Sequence, residues 1–450
     1  MNVLKFVEEI EGKYNVNSVV YKNAQLWPYF RIYLSHNKIG SPKTVASKKV
    51  VVKALKNMFY GFRNYFKKVD YIIFSNTEQR RLLNNKYYDR FDFLPEEYNK
   101  NLFFELTQDS FYKLNQIPTK NIVSKIPLYF LAKILEKFVS LNNIDNANLF
   151  TKIIDDNNIE LNSDYLLKSY IAQYKVAKLI IKIYKPKALI LITSYTNYAY
   201  IQAFKDAGIN VIEFQHGLIN DKHLAYNFKH SVDAKLFPDY VLTFGEYEKE
   251  VFNSNNNFIN TEKVIPIGHF YLDYLNNNYK SNENFERVIK KYKKSFAITL
   301  QANWEDKMIE FIEGVAKEKP EFVFVIIPRH KQKYSFKNEN VLIFDELNCY
   351  EIVLNCDIHS TIYSSCATEA LGLNKPNILL NIDNQSNVNL GFIIDEKLSF
   401  LANTTEEFIN KSEKIDKINT DKMLSNKFFK ANFTTNLKKE LNNILSKNNE

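Results

Sequence analysis

DIHSTIYSSCATEALGLNKPNILLNI, residues 357–382, opens and closes on short apolar runs with a helical pattern between them. Asp357 to Thr361 has the length of a strand and runs into a hydroxyl-rich turn. A helix is predicted from about Ser365 to Leu373, stopped by Gly372 and Pro376, and Asn377 to Leu380 is a second strand. Such a strand–helix–strand unit sets the free N–H groups and positive end of a helix beside Ser360, Thr361, Ser364 and Ser365, an arrangement that can hold a phosphate. Glu369 falls four residues after Ser365, one too far for a capping box, and off the apolar stripe of Cys366, Ala367, Ala370 and Leu371. A carboxylate there can accept both hydroxyls of a ribose. The same residues also suit a capped helix with a solvated glutamate.

Outward from this unit, strands and helices alternate twice. Tyr71 to Ser75, Ala188 to Thr193, Val211 to Phe214, Tyr240 to Phe244 and Val264 to Ile267 are apolar runs of strand length, several ending in polar residues such as Gln215-His216-Gly217 and Gly268-His269. Phe296 to Leu300 ends at Gln301-Ala302-Asn303, Phe322 to Ile327 at Pro328-Arg329-His330-Lys331, and Val341 to Phe344 follows. Residues 101–185 read as mostly helical. The pattern implies an α/β chain with two Rossmann-like domains facing a cleft. The predicted division is a basic helical arm over 1–69, an N-terminal domain over 70–275, a C-terminal domain over 285–404 and helices over 405–450. The Asn-rich stretch 276–284 is the linker candidate.

The 450 residues carry a formal charge of +9, and it is unevenly placed. Gly12 to Val69 holds twelve Lys and Arg and no Asp or Glu, which leaves 9 − 12 = −3 for the rest. Within it, Lys43 to Lys68 mixes lysines with Val, Leu, Met, Phe and Tyr at spacings that a helix can sort onto two faces, as an anionic membrane surface would attract. A packed helix with a basic outer face is the alternative. Nucleic acid is disfavoured, since no helix-turn-helix, zinc-finger or aromatic RNA-binding signature accompanies the charge. Cys349, Cys356 and Cys366 show no paired spacing, and no run approaches the ~20 apolar residues of a membrane span. A soluble, cytoplasmic protein, peripheral at the inner face of the membrane, is expected. No GxGxxG follows the first strand and no P-loop occurs, which disfavours dinucleotide oxidoreductases and P-loop NTPases.

The ordered set Gln215-His216-Gly217, Gly268-His269, Pro328-Arg329-His330-Lys331 and His359-Ser360-Thr361…Glu369-Ala370…Lys375-Pro376 resembles bacterial GT-B glycosyltransferases of capsule, O-antigen and exopolysaccharide assembly. It resembles more distantly the CDP-glycerol glycerophosphotransferases of teichoic acid synthesis. The likeness covers roughly residues 185–385. It implies that His216, within Gln215 and Gly217, lies near the reacting centre, and that Arg329, His330 and Lys331 contact the donor diphosphate. It further implies that Ser360, Thr361, Ser364, Ser365 and Glu369 bind phosphate and ribose, with Gln301 and His359 on the same donor side. The His-Pro motif of transferases using CMP-activated acids is Arg329-His330 here, which leaves the donor nucleotide open.

The resemblance implies an inverting, metal-independent transfer of sugar from a nucleotide-sugar substrate to a growing surface glycan, with no bound cofactor. Such a reaction needs a base for the acceptor hydroxyl and positive charge for the leaving diphosphate. His216 suits the first and Arg329 with Lys331 the second. Glu213, Asp221 and Glu246 are rival bases, and a structural His216 is the competing reading. His223 and His230 have no carboxylate cluster beside them, so a catalytic metal is not expected. A CDP-polyol phosphotransferase and a non-catalytic glycan-binding partner stand as alternative functions.

Overall fold

The computed structural model describes residues 3–38, 48–228, 230–255, 258–329, 333–415 and 427–446. His330, Lys331 and positions 43–47 of the basic stretch lie outside them. The chain divides into two compact units: Met1–Thr243 with Glu248–Ile265 and Leu437–Glu450, and Phe244–Tyr247 with Pro266–Asn436. The Asn-rich stretch 276–284 lies inside the second unit, and most of it belongs to the helices Phe270–Asn278 and Glu283–Ile289.

In the first unit, runs of Ile, Leu, Val and Phe become strands buried on both faces, the usual state of a parallel sheet covered by helices. The strands are β1 (Tyr71–Asn76), β2 (Asn101–Leu106), β3 (Ile122–Ser124), β4 (Ala188–Leu191), β5 (Asn210–Phe214), β6 (Tyr240–Thr243) and β7 (Val264–Pro266). Their spatial order is β7-β6-β5-β4-β1-β2-β3. Neighbours from β6 through β3 pair in parallel, with Ile73 level with both Phe103 and Ile190. The helices used below are α1 (Val3–Lys13), α2 (Trp27–Lys38), α3 (Lys48–Met58), α4 (Ile126–Glu136), α5 (Ser163–Tyr184) and α6 (Tyr198–Lys205). Asn162 caps α5 by accepting a hydrogen bond from Tyr165 N.

The aromatic stretch of α2 packs inward. Trp27 and Phe30 are buried in the core of this unit, Phe30 stacks on Phe150 at 3.9 Å, and the Trp27 indole donates to Glu11 at 2.7 Å. Glu11 also pairs with the buried Arg31 at 3.4 Å.

One expectation is corrected. Residues 101–185 contain two strands of the sheet, β2 and β3, beside their helices. In β2 the sequence NLFFEL carries Glu105 in the middle of what would be an apolar strand. The carboxylate is tolerated because Arg80 Nη2 donates to it at 2.7 Å and Thr77 Oγ1 at 2.8 Å. Those partners lie 25 and 28 residues away, so the local pattern gives no sign of them.

The second unit repeats the plan with β8 (Lys294–Thr299), β9 (Phe322–Ile327), β10 (Val341–Leu342), β11 (Ile358–Thr361), β12 (Asn377–Leu380) and β13 (Ser399–Ala402). Their order is β10-β9-β8-β11-β12-β13, parallel throughout. Its helices include α7 (Phe270–Asn278), α8 (Glu305–Glu318), α9 (Cys349–Asn355), α10 (Cys366–Gly372) and α11 (Thr405–Ile415). Phe296, Phe324, Met308, Ile312 and Phe408 form its core between sheet and helices. Numbered within each sheet, both orders begin 3-2-1-4-5-6, the doubly wound Rossmann arrangement.

Candidate functional site

A doubly wound sheet reverses its winding between its first and fourth strands, and ligands bind beyond the carboxyl ends there. In the second unit that point lies between β8 and β11, which pair with Ile298 level with Ser360. Gln301 leaves β8, and Ser364 and Ser365 leave β11 directly before α10. Arg329 leaves β9 two residues after Ile327, whose partner on β8 is Thr299, two residues before Gln301. Arg329 is exposed and has no ion pair among the described residues. The polar exits of three adjacent strands are therefore gathered along one sheet edge.

Within this edge the residues divide. Ser364 is buried and its Oγ accepts from Cys366 N at 3.2 Å, while the Ser365 carbonyl accepts from Thr368 N and Glu369 N. Ser365 has helical backbone angles and its side chain makes no cap. Glu369 is half-buried one turn on. His359, Ser360 and Thr361, which the sequence places among the ligand contacts, lie fully buried inside the sheet. The alternation of a strand turns His359 and Thr361 to one face and Ser360 to the other. Thr361 Oγ1 donates to the Thr299 carbonyl at 2.8 Å, and Ser360 Oγ is buried with no partner.

His359 is held from both sides. Asn377 Nδ2 donates to the Ala367 carbonyl at 2.9 Å, which leaves Asn377 Oδ1 as an acceptor 2.7 Å from His359 Nδ1. The proton therefore sits on Nδ1, and Nε2 accepts from Thr299 Oγ1 at 2.9 Å. Burial lowers the imidazole pKa to about 4, so the ring is neutral and braces the sheet under the Ser364-Ser365 turn.

In the first unit, Gln215-His216-Gly217 leaves β5 as read, and the turn is pinned on several sides. Gln215 N donates to the Leu242 carbonyl at 2.9 Å; its side-chain Nε2 donates to the Gly217 carbonyl at 2.9 Å and to Glu248 Oε1 at 2.6 Å. The Gln215 carbonyl accepts from Arg90 Nη1, whose Nη2 donates to Gln79 Oε1 at 2.8 Å. Arg90 opens a short turn capped by Asp89, and Asp89 also accepts from Ser75 Oγ at the end of β1. Arg90, in the turn that Asp89 caps, thus holds the His216 turn through the Gln215 carbonyl, a role invisible in its sequence. A Cβ at Gly217 would meet no atom within 4 Å, so this glycine leaves open space instead of admitting another stretch of chain.

His216 is half-buried, with Nε2 3.2 Å from the Tyr195 hydroxyl. Its Nδ1 is buried without a partner in hydrogen-bond geometry, although the nearby Ile192 carbonyl favours protonation slightly. Burial, then the positive charge of Arg90, lowers its pKa to about 4. Tyr195 packs against His216 and His223, with ring centroids 5.8 and 5.7 Å away, and His223 meets Tyr226 at 4.9 Å. Burial also lowers His223 to about 4. Of the rival bases, Asp221 and Glu246 are exposed. Glu213 is fully buried, accepting from Ser194 N at 2.9 Å and from the Tyr226 hydroxyl at 2.5 Å, and burial raises its pKa to about 7. His269 Nδ1 accepts from Leu272 N at 3.3 Å and so starts α7. Gly268, at φ +100°, leaves only 2.1 Å between an added Cβ and the Lys430 carbonyl.

Sequence reasoning missed Lys125. It follows β3 directly, is buried, donates to Asn197 Oδ1 at 2.7 Å and lies 3.6 Å from the Phe74 ring centroid. Burial lowers its pKa to about 7. Asn197 in turn donates to the Thr193 carbonyl at 2.7 Å, so the lysine braces the exit of β4 next to Tyr195. A lysine immediately after the apolar pair Ile122-Val123 is the signal that could have flagged it.

No protein-family model matches the chain, and no curated protein matches it. Among solved structures it is similar to a UDP-N-acetylglucosamine 2-epimerase at 14% identity and a TM-score of 0.50, over 86% of this chain and 98% of that one. It is also similar to the UDP-GlcNAc 2-epimerase of Methanocaldococcus jannaschii (12% identity, TM-score 0.49, 84% and 99% covered) and to the wall teichoic acid polymerase TagF (13% identity, TM-score 0.44, 93% and 97% covered). The first of these likenesses shows the fold, two Rossmann-like units of the GT-B type.

Proposed function

We propose that this chain is a GT-B glycosyltransferase that moves a sugar from a nucleotide-activated donor to a hydroxyl of a growing surface glycan, by inversion and without a metal. The observation that supports this most is His216: an imidazole held neutral by burial at the carboxyl end of β5, its Nε2 set by the Tyr195 hydroxyl, one residue before Gly217, where a Cβ would meet no atom. A neutral imidazole accepts a proton, and Tyr195 with the pinned turn fixes its orientation. The acceptor oxygen attacks the anomeric carbon, the bond from that carbon to the diphosphate oxygen breaks, and the hydroxyl proton passes to His216. In the second unit, Arg329 and the Ser364-Ser365 turn compensate the charge on the leaving diphosphate, and Glu369 takes the ribose hydroxyls. Gln301 leaves the adjacent strand β8 along the same sheet edge. His330 and Lys331 would add charge from outside the described residues. The place of action is the cytoplasm, where nucleotide sugars serve as donors.

The test is a thermal-shift screen of UDP, GDP, CDP, CMP and dTDP, followed by turnover of the matching nucleotide sugar with wild type and His216→Ala. His216→Ala should keep the nucleotide-induced shift and lose about 10²–10⁴-fold in rate. A folded, fully active His216→Ala overturns the mechanism. Epimerised or free sugar formed without acceptor, or transfer of a polyol phosphate from a CDP donor, overturns sugar transfer.

A further inference from the structure

Helix α3 presents its apolar residues outward. Val52, Leu55 and Phe59 are exposed, with Lys56 between them, and Phe59 is 67% exposed. The row continues through Phe62 and Phe66, with ring centroids 6.1 and 5.5 Å apart along the series, and Phe66 is 77% exposed. Helix α4, which packs beside α3, repeats the feature: Phe130 and Ile134 project from it and Phe138 follows just past its end at the same four-residue spacing, 76% exposed. Ser124 N donates to the Tyr60 carbonyl at 3.0 Å and Tyr65 Oη donates to the Ser124 carbonyl, which anchors the turn at the start of α4. Contiguous apolar residues of this size on a soluble unit mark a surface that something covers.

The surrounding charge selects the occupant. Three acids at this edge are each matched by a lysine: Asp109 by Lys53, Glu136 by Lys133 and Asp70 by Lys187. Lys56, Arg63, Lys67, Lys68 and Lys137 have no ion pair among the described residues. Aromatic tips set among uncompensated cations on flexible stems match an anionic interface, with rings entering the headgroup boundary and ammonium groups meeting the phosphates. We propose that α3, the 62–66 turn and α4 form one amphiphilic face that seats the first unit on an anionic lipid bilayer. The inference rests on these exposed groups and is independent of the chemistry at His216.

The full chain is floated with vesicles of phosphatidylcholine, alone or with about a third phosphatidylglycerol, at about 0.1 M and about 1 M salt. It should float with the anionic vesicles and retain a residual fraction at high salt through its rings. Two variants, Phe59→Ser/Phe62→Ser/Phe66→Ser and Phe130→Ser/Ile134→Ser/Phe138→Ser, should each cut bound protein by about tenfold or more with unchanged circular dichroism. The second leaves every basic residue in place. Hydrogen exchange on the wild type should show vesicle-dependent protection over 52–66 and 130–138, which keeps the test decisive if a variant misfolds. Absence of flotation, equal binding to neutral vesicles, or indifference to both variants overturns the proposal. A dimer in light scattering that both variants abolish, without flotation, assigns the face to a second copy of the chain.

Discussion

His216, His223 and His359 are all held neutral by burial, each with its pKa lowered to about 4 from an ordinary 6.5. Between those values the unfolded chain binds protons that the folded chain excludes, so the three rings make stability fall as pH drops through that window, while Glu213 and Asp92, raised by burial to about 7 and about 6, oppose part of that fall. Equilibrium urea unfolding should give a midpoint that declines from pH 6.5 towards 4. His359→Gln, which has no titrating ring, should flatten part of the decline, though it disturbs the Thr299 and Asn377 bonds at every pH. A His359→Gln midpoint with the full pH dependence of the wild type would show that this ring titrates alike in both states. Lys125 works in the opposite range. Its pKa is lowered from 10.5 to about 7, so its own contribution to stability increases as pH rises between them.

At the level of elements, β2 shows why an apolar pattern can hide a strand. Glu105 is buried, and burial raises its pKa while Arg80 opposes the rise. Arg80 in turn bonds Asp92 Oδ2 at 3.0 Å and Thr119 Oγ1 at 3.0 Å, so one guanidinium ties β2 to the loops after β1 and before β3. Removing one partner of a buried pair leaves the other charge stranded. Arg80→Met should therefore cost about 3–5 kcal/mol in chemical denaturation, more than loss of a surface ion pair, which is worth up to ~1 kcal/mol. A change below ~1 kcal/mol would mean that water reaches Glu105 and that the strand does not depend on the network. The basic arm resolves differently. Its described part before position 39 packs into the core through Trp27 and Phe30, whereas α3 and the following turn present Val52, Leu55, Phe59, Phe62 and Phe66 outward.

For the whole molecule, the proposal assigns nucleotide to the second unit and the base to the first. A saturating nucleotide at about a hundred times its dissociation constant adds roughly 2.7 kcal/mol to the state that binds it. Hydrogen exchange should therefore show new protection around 300–304 and 361–369, and Glu369→Ala should weaken nucleotide binding with an unchanged melting temperature of the free protein. Protection confined to residues of the first unit would reverse the assignment. The sequence by itself determined where most strands of both sheets lie, β2, β3 and β13 excepted, and which polar residues leave their ends. Phe322–Ile327 and Asn377–Leu380 fall where they were read, because an apolar run and its punctuation are local properties. Only the tertiary structure decided which strands are neighbours. That ordering placed His359 inside the sheet and Gln301 and Ser364 at its edge, and it brought Arg90 to the Gln215 carbonyl across 125 residues of chain. It also concealed Glu105, Lys125 and the outward face of α4, since burial and exposure depend on partners that lie far along the chain.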